Sequence, residues 1–106
     1  MDKTIRILCI CQNGNCRSVG TRYCLIKRGY KNVIATGWNN TSSETLEMLC
    51  DWADKILVAK SQHGDMLPSG KEKVDAQFTI GDDKWLNPMN KELHEIVNKQ
   101  LDLTGL

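Results

Sequence analysis

The sequence has little net charge, few aromatic residues, almost no proline and no long apolar run, and each scarcity removes a class of function. A formal net charge of +1 leaves no basic field for nucleic acid and no acidic tail. No apolar stretch is long enough to cross a membrane, and no secretory signal heads the chain as given, so neither a membrane nor a nucleic acid is expected as a partner. The cysteines number five, an odd count that argues against a closed disulfide framework and for a reducing cytoplasm. There is no CxxC pair, and the two histidines, His63 and His94, are distant in sequence from the cysteines, so no metal site is expected. Internal repeats, low-complexity tracts and obvious linkers are also missing. With 106 residues, 41% of them hydrophobic and 25% charged, the chain supports one globular domain over 1–106 with a single core that needs no staples.

The stretch around which the rest is organised runs from Ile5 to Ser18. Ile5, Ile7, Leu8, Cys9 and Ile10 form an apolar run too short for a helix and bounded by Asn and Gly, which predicts a buried strand. Cys11 falls where that strand ends. A helical pattern over Val19 to Arg28 follows, stopped by Gly29, so the unit is strand, loop, helix, with loop amides gathered at a helix N-terminus. That geometry binds anions.

Further along, Asn32 to Thr36 predicts a second strand, parallel to the first because a helix separates them. Thr41 with Glu44 suggests a capping box for a helix from Ser42 to about Trp52, and Lys55 to Ala59 a third strand. Ser61 to Leu67 suggests a turn or two of helix. In Lys73 to Ile80, Val74, Ala76, Phe78 and Ile80 alternate with polar residues, the pattern of a fourth strand. Asn87 and Pro88 suit N-cap and first helical position of a last helix, with Met89, Leu93, Ile96, Val97 and Leu101 on one face. The expected fold is therefore α/β: a three-layer α/β/α domain with a four-stranded parallel sheet in the flavodoxin-like order 2-1-3-4. Cys9, Cys24 and Cys50 fit a core, Met48, Met66 and Met89 fit core filler, and Arg22 and Lys60 fit solvated charges.

Cysteine, five residues and arginine form the arrangement a phosphomonoester hydrolase needs. The thiolate is the nucleophilic form of cysteine, and amide donors, a helix N-terminus and a cation all favour it at Cys11. Arg17 offers a planar fork to two equatorial phosphate oxygens, which a lysine cannot match. Ser18 is placed to donate to the sulfur. Gln12, Asn13, Gly14, Asn15, Cys16 and Arg17 would supply the phosphate-binding backbone, so phosphate or another oxyanion is expected in the loop.

The run Cys11 to Ser18 (CQNGNCRS), between strand and helix, resembles the phosphate loop of the low-molecular-weight protein-tyrosine phosphatases. Asp51 to Val58 (DWADKILV) and Ile80 to Val97 (IGDDKWLNPMNKELHEIV) resemble the later strand, the acid loop and the final helix of short bacterial or phage-like members. The resemblance implies a tyrosine phosphatase working through a cysteinyl-phosphate without metal or organic cofactor, on a phosphotyrosine protein or a small aryl phosphate. It implies Asp82 as general acid, with Asp83 the rival, and Trp85 as a flat wall at the pocket mouth. It also suggests Cys16 as a redox partner forming a protective disulfide with Cys11, a reading preferred here to that of a small loop residue. Trp38 is either the opposite wall or an ordinary exposed aromatic. The chain departs from the family in having Asn13 then Gly14 where Gly then Asn is usual, Val19 for a proline, and Ala59 and Lys60 where an acidic residue is usual after the third strand. Two rivals stand beside the phosphatase: an arsenate reductase-like thiol enzyme, and a non-catalytic phosphate- or phosphoprotein-binding module of the same fold.

Overall fold

A computed structural model describes residues 2–106. Strand β1 (Arg6–Cys11) lies at the centre of a parallel sheet, flanked by β2 (Asn32–Gly37) and β3 (Lys55–Val58) in the order β2-β1-β3. The register pairs Leu8 with Ile34 on one side and with Ile56 on the other, and Cys11 with Gly37. Both neighbours being parallel, each connection crosses over a face: α1 (Arg17–Lys27) joins β1 to β2, and α2 (Ser43–Trp52) joins β2 to β3. Alternation along β1 then sorts the core into two halves. Ile7 and Cys9 face a cluster with Leu25, Leu93, Val97 and Leu101, supplied by α1 and the final helix α4 (Lys91–Thr104), whereas Leu8 and Ile10 face Leu46 and Cys50 of α2. The three layers are thus α1 with α4, the sheet, and α2 with the short α3 (Ser61–Asp65).

Burial is nearly complete where it matters. Ile7, Leu8, Leu25, Leu93, Val97 and Leu101 have no exposed surface, each stabilising the fold by roughly 1.5–3 kcal/mol relative to exposure. The cysteines of the apolar pattern, Cys9, Cys24 and Cys50, are buried, and burial pushes all three thiols up, Cys9 the most. The methionines are not core: Met48, Met66 and Met89 are 62%, 54% and 48% exposed.

The expected fourth strand does not form, so the sheet has three strands. After a 3-10 turn at Lys71–Lys73, Val74 makes one isolated bridge to Ile56, and the Asp75 amide donates to the Ile56 carbonyl at 3.0 Å. Pairing stops there because Asp75 turns the chain. Its carboxylate accepts from the Gln77 amide at 3.0 Å, its carbonyl accepts from Phe78 at 3.2 Å, and its side chain pairs with Lys55 at 3.0 Å. Only Phe78 of the four alternating apolar residues is fully buried.

Two helix starts also shift. The N-cap of α2 is Ser42, whose hydroxyl accepts from the Thr45 amide at 3.2 Å, while the Thr41 hydroxyl is engaged with that of Thr36 at 2.7 Å. For α4 the cap is Asn90, accepting from the Glu92 and Leu93 amides, and Asn87–Pro88 instead opens a separate turn in which Asn87 accepts from the amides of Met89 and Asn90.

Candidate active site

Cys11 ends β1 and is 2% exposed. The Gly14 amide donates to the sulfur at 3.2 Å, and the thiol lies 3.2 Å from Ser18 Oγ, its acceptor; the same hydroxyl is placed to donate once the thiol ionises. Residues 12–16 cross from the strand to α1, whose N-cap is Cys16. Among the described residues no protein acceptor takes the backbone N–H groups of Asn15, Cys16, Arg17 or Ser18. Four amides at a helix start thus stand beside one buried sulfur, the arrangement that favours an anion.

The loop is braced from the end of β2, where the sequence reading singles out Trp38 but not Gly37, Asn39 or Asn40. Gly14 has φ +75, and a Cβ on it would sit 2.3 Å from the Gly37 amide nitrogen; a Cβ on Gly37 would sit 2.3 Å from the Asn13 carbonyl carbon. Backbone lies directly on backbone, so both positions need glycine. The Trp38 and Asn39 amides donate to the carbonyls of Cys11 and Gln12 at 3.1 and 3.0 Å, and Asn40 Nδ2 donates to the Asn13 carbonyl at 3.0 Å. The run of Gly37, Asn39 and Asn40 after a strand end was the available signal, since such residues gather where a turn meets another backbone.

Arg17 is 3% exposed. Its Nη1 donates to the Gly81 carbonyl at 2.7 Å, its Nε is buried without a partner, and none of the ion pairs among the described residues includes it. A buried guanidinium with no carboxylate partner is costly, and an anion on its Nε–Nη2 edge removes that cost.

The acid segment comes to the same face, because its Gly81 is held by Arg17. Asp82 forms an ion pair with Lys60, which lowers its carboxyl below the usual range; Arg17 and Lys84 act in the same direction. Asp83 accepts weakly from the Trp85 amide at 3.4 Å and stands beside Cys16, whose thiol is pushed up first by burial and then by that carboxylate. The Cys16 thiol donates to the Trp85 carbonyl at 3.0 Å. Trp85 is not a wall at a pocket mouth: it is 5% exposed, with its ring in the core formed by α1 and α4. Trp38 is half-buried against the α2 side, its ring 6.4 Å from that of His63 and its Nε1 without a partner. Gln12, Asn13 and Asn15 are exposed, and Asn13 Oδ1 accepts weakly from Asn39 Nδ2 at 3.4 Å. Arg22 and Lys60 are engaged: Arg22 Nε donates to the Val33 carbonyl at 2.9 Å, and Lys60 holds Asp82.

No protein-family model matches this chain, and no curated protein matches it. Among solved structures, the YwlE arginine phosphatase from Geobacillus stearothermophilus superposes with a TM-score of 0.59, covering 95% of this chain and 94% of that one, at 19% identity. The two chains share a fold. At that identity the likeness speaks for the architecture over nearly the whole of both chains, and the chemistry must be argued from the site itself. No helix of the described residues is long and apolar enough to cross a membrane.

Proposed function

We propose that the protein is a cytoplasmic phosphomonoester hydrolase of the low-molecular-weight protein-tyrosine phosphatase type, acting on a phosphotyrosine protein or another aryl phosphate. The observation that carries this reading is Arg17, a buried cation with no ion-pair partner among the described residues, one turn of chain from a buried cysteine sulfur and four unspent amides. In this reading the phosphate oxygens take those amides and the Nε–Nη2 edge of Arg17. The Cys11 thiolate attacks phosphorus, the P–O bond to the leaving group breaks, and Asp82, or Asp83 in its place, gives the leaving oxygen a proton. The same carboxylate then takes a proton from water as the water oxygen attacks phosphorus and the P–S bond breaks. Ser18 donates to the sulfur as it departs.

A second reading concerns the leaving group. Burial of Trp85 removes the flat wall that an aryl group would use, and the exposed carboxylates of Asp82 and Asp83 stand on that side. A guanidinium leaving group suits carboxylates, so phosphoarginine, the substrate type named for the YwlE enzyme, is the alternative.

Turnover of para-nitrophenyl phosphate by the purified protein tests the reaction. Cys11→Ser should lower it by about 10⁴-fold or more, and Arg17→Lys by about 10²-fold. Undiminished activity in Cys11→Ser overturns the mechanism. Phosphotyrosine and phosphoarginine peptides compared side by side then decide the leaving group.

A further inference from the structure

The acid segment is fastened to the end of β3 by consecutive contacts. The Ala59 carbonyl accepts from the Ile80 and Gly81 amides at 2.8 and 3.0 Å and from the Thr79 hydroxyl at 3.4 Å. One residue on, the Lys60 ammonium pairs with Asp82. The Lys60 backbone is anchored, its amide donating at 3.3 Å to Nδ1 of the buried His63 in α3. From the opposite side Arg17 holds the Gly81 carbonyl. The backbone before Asp82 is therefore set on both sides, while the Asp82 side chain is 79% exposed and meets one fixed partner. An exposed ion pair adds little to stability, so stability does not account for it.

We propose that Lys60 is a positioning residue for the leaving-group chemistry, an ammonium that docks the Asp82 carboxyl beside Arg17. This rests on the phosphatase reading above. Lys60 touches no reacting atom and keeps its proton throughout. Asp82 loses its proton to the leaving oxygen as P–O breaks, and regains one from the attacking water as P–S breaks. The charged groups facing Asp82 are Lys60 from the β3–α3 junction, Arg17 from the start of α1, and Lys84 and Asp83 on its own segment. With three cations against one carboxylate, the docked Asp82 favours its ionised form, which serves the water-activating step and limits the leaving-group step at high pH. The alkaline limb of the rate against pH should then belong to Asp82, and should lie lower than it would without Lys60.

The test uses Lys60→Met and Lys60→Arg in the full chain, with pH profiles of kcat/KM on para-nitrophenyl phosphate and titration of the Asp82 carboxyl by NMR. In Lys60→Met, the Asp82 midpoint and the alkaline limb should both move up, and plateau kcat should fall about 10-fold; Lys60→Arg should restore all three. If the unmutated protein turns over substrate but neither the midpoint nor the limb moves in Lys60→Met, the docking role is overturned while the phosphatase reading stands. A limb that survives in Asp82→Asn overturns it too, since the acid is then Asp83. Failure of the unmutated protein to hydrolyse any phosphomonoester, or full activity in Cys11→Ser, overturns the parent reading, and the NMR midpoint shows separately whether the ion pair holds.

Discussion

Two segments meet at the site and are held by different means. The Cys11 loop is locked by backbone on backbone, with Gly14 and Gly37 so close that neither tolerates a Cβ, and by three donors from residues 38–40. The acid segment is held by hydrogen bonds to Ala59 and an exposed ion pair, and a Cβ on its Gly81 would meet nothing within 4 Å. The cradle that must fix a phosphate is thus sterically determined. The segment proposed to supply the acid rests on hydrogen bonds between its own backbone and Ala59 and Arg17, and its Asp82 side chain on one exposed ion pair.

Two alanine substitutions test that contrast directly. Gly37→Ala forces its Cβ into the Asn13 carbonyl carbon and should destabilise the fold by about 3 kcal/mol while displacing the loop and removing most turnover. Gly81→Ala meets no neighbour and carries only the strain of φ +103, which should cost about 1 kcal/mol. Urea melts of both proteins give the comparison. Equal losses would mean that the two segments are held alike.

What was legible in the sequence follows the same division. The gathering of Cys11, Arg17 and Ser18 around one loop is legible because their spacing is local, and the three strands because each is a short apolar run that a parallel sheet buries on both faces. The fourth strand was misread because alternation reports a covered face but not whether the backbone pairs, and Asp75 spends its side chain and carbonyl on a turn. The resemblance implies Trp85 as a wall at a mouth, yet the residue is buried in the core with residues of α1 and α4. Lys60 passed for a solvated charge because its partner lies 22 positions away. The Gly37 brace shows in sequence only as a turn signal after a strand; its need for glycine comes from Asn13 on another element. Local spacing shows in sequence, and the distant contacts that brace it do not.

The smallest expected effect sits where the two segments share support. His63 accepts the Lys60 amide through Nδ1, which requires a ring nitrogen without a proton, and burial, then Arg17, then Lys60 hold its pKa below the ordinary 6.5. The unfolded chain takes up that proton near 6.5, the folded chain only at lower pH. Between those values the unfolded state binds more protons, so stability rises with pH across the window. The contribution is fully present above 6.5 and is lost as pH falls toward the folded value. The carboxylates held low, Asp2, Asp54 and Asp82, act in a separate window, because their contribution is lost only as pH falls below 3.8. His63→Asn keeps an acceptor for the Lys60 amide and removes the titration, so the melting temperature of this variant should vary less between pH 5 and 7 than that of the unmutated protein. An identical slope in both proteins would mean that the imidazole is free to take its proton in the folded state, and that the anchor of Lys60 survives its charging.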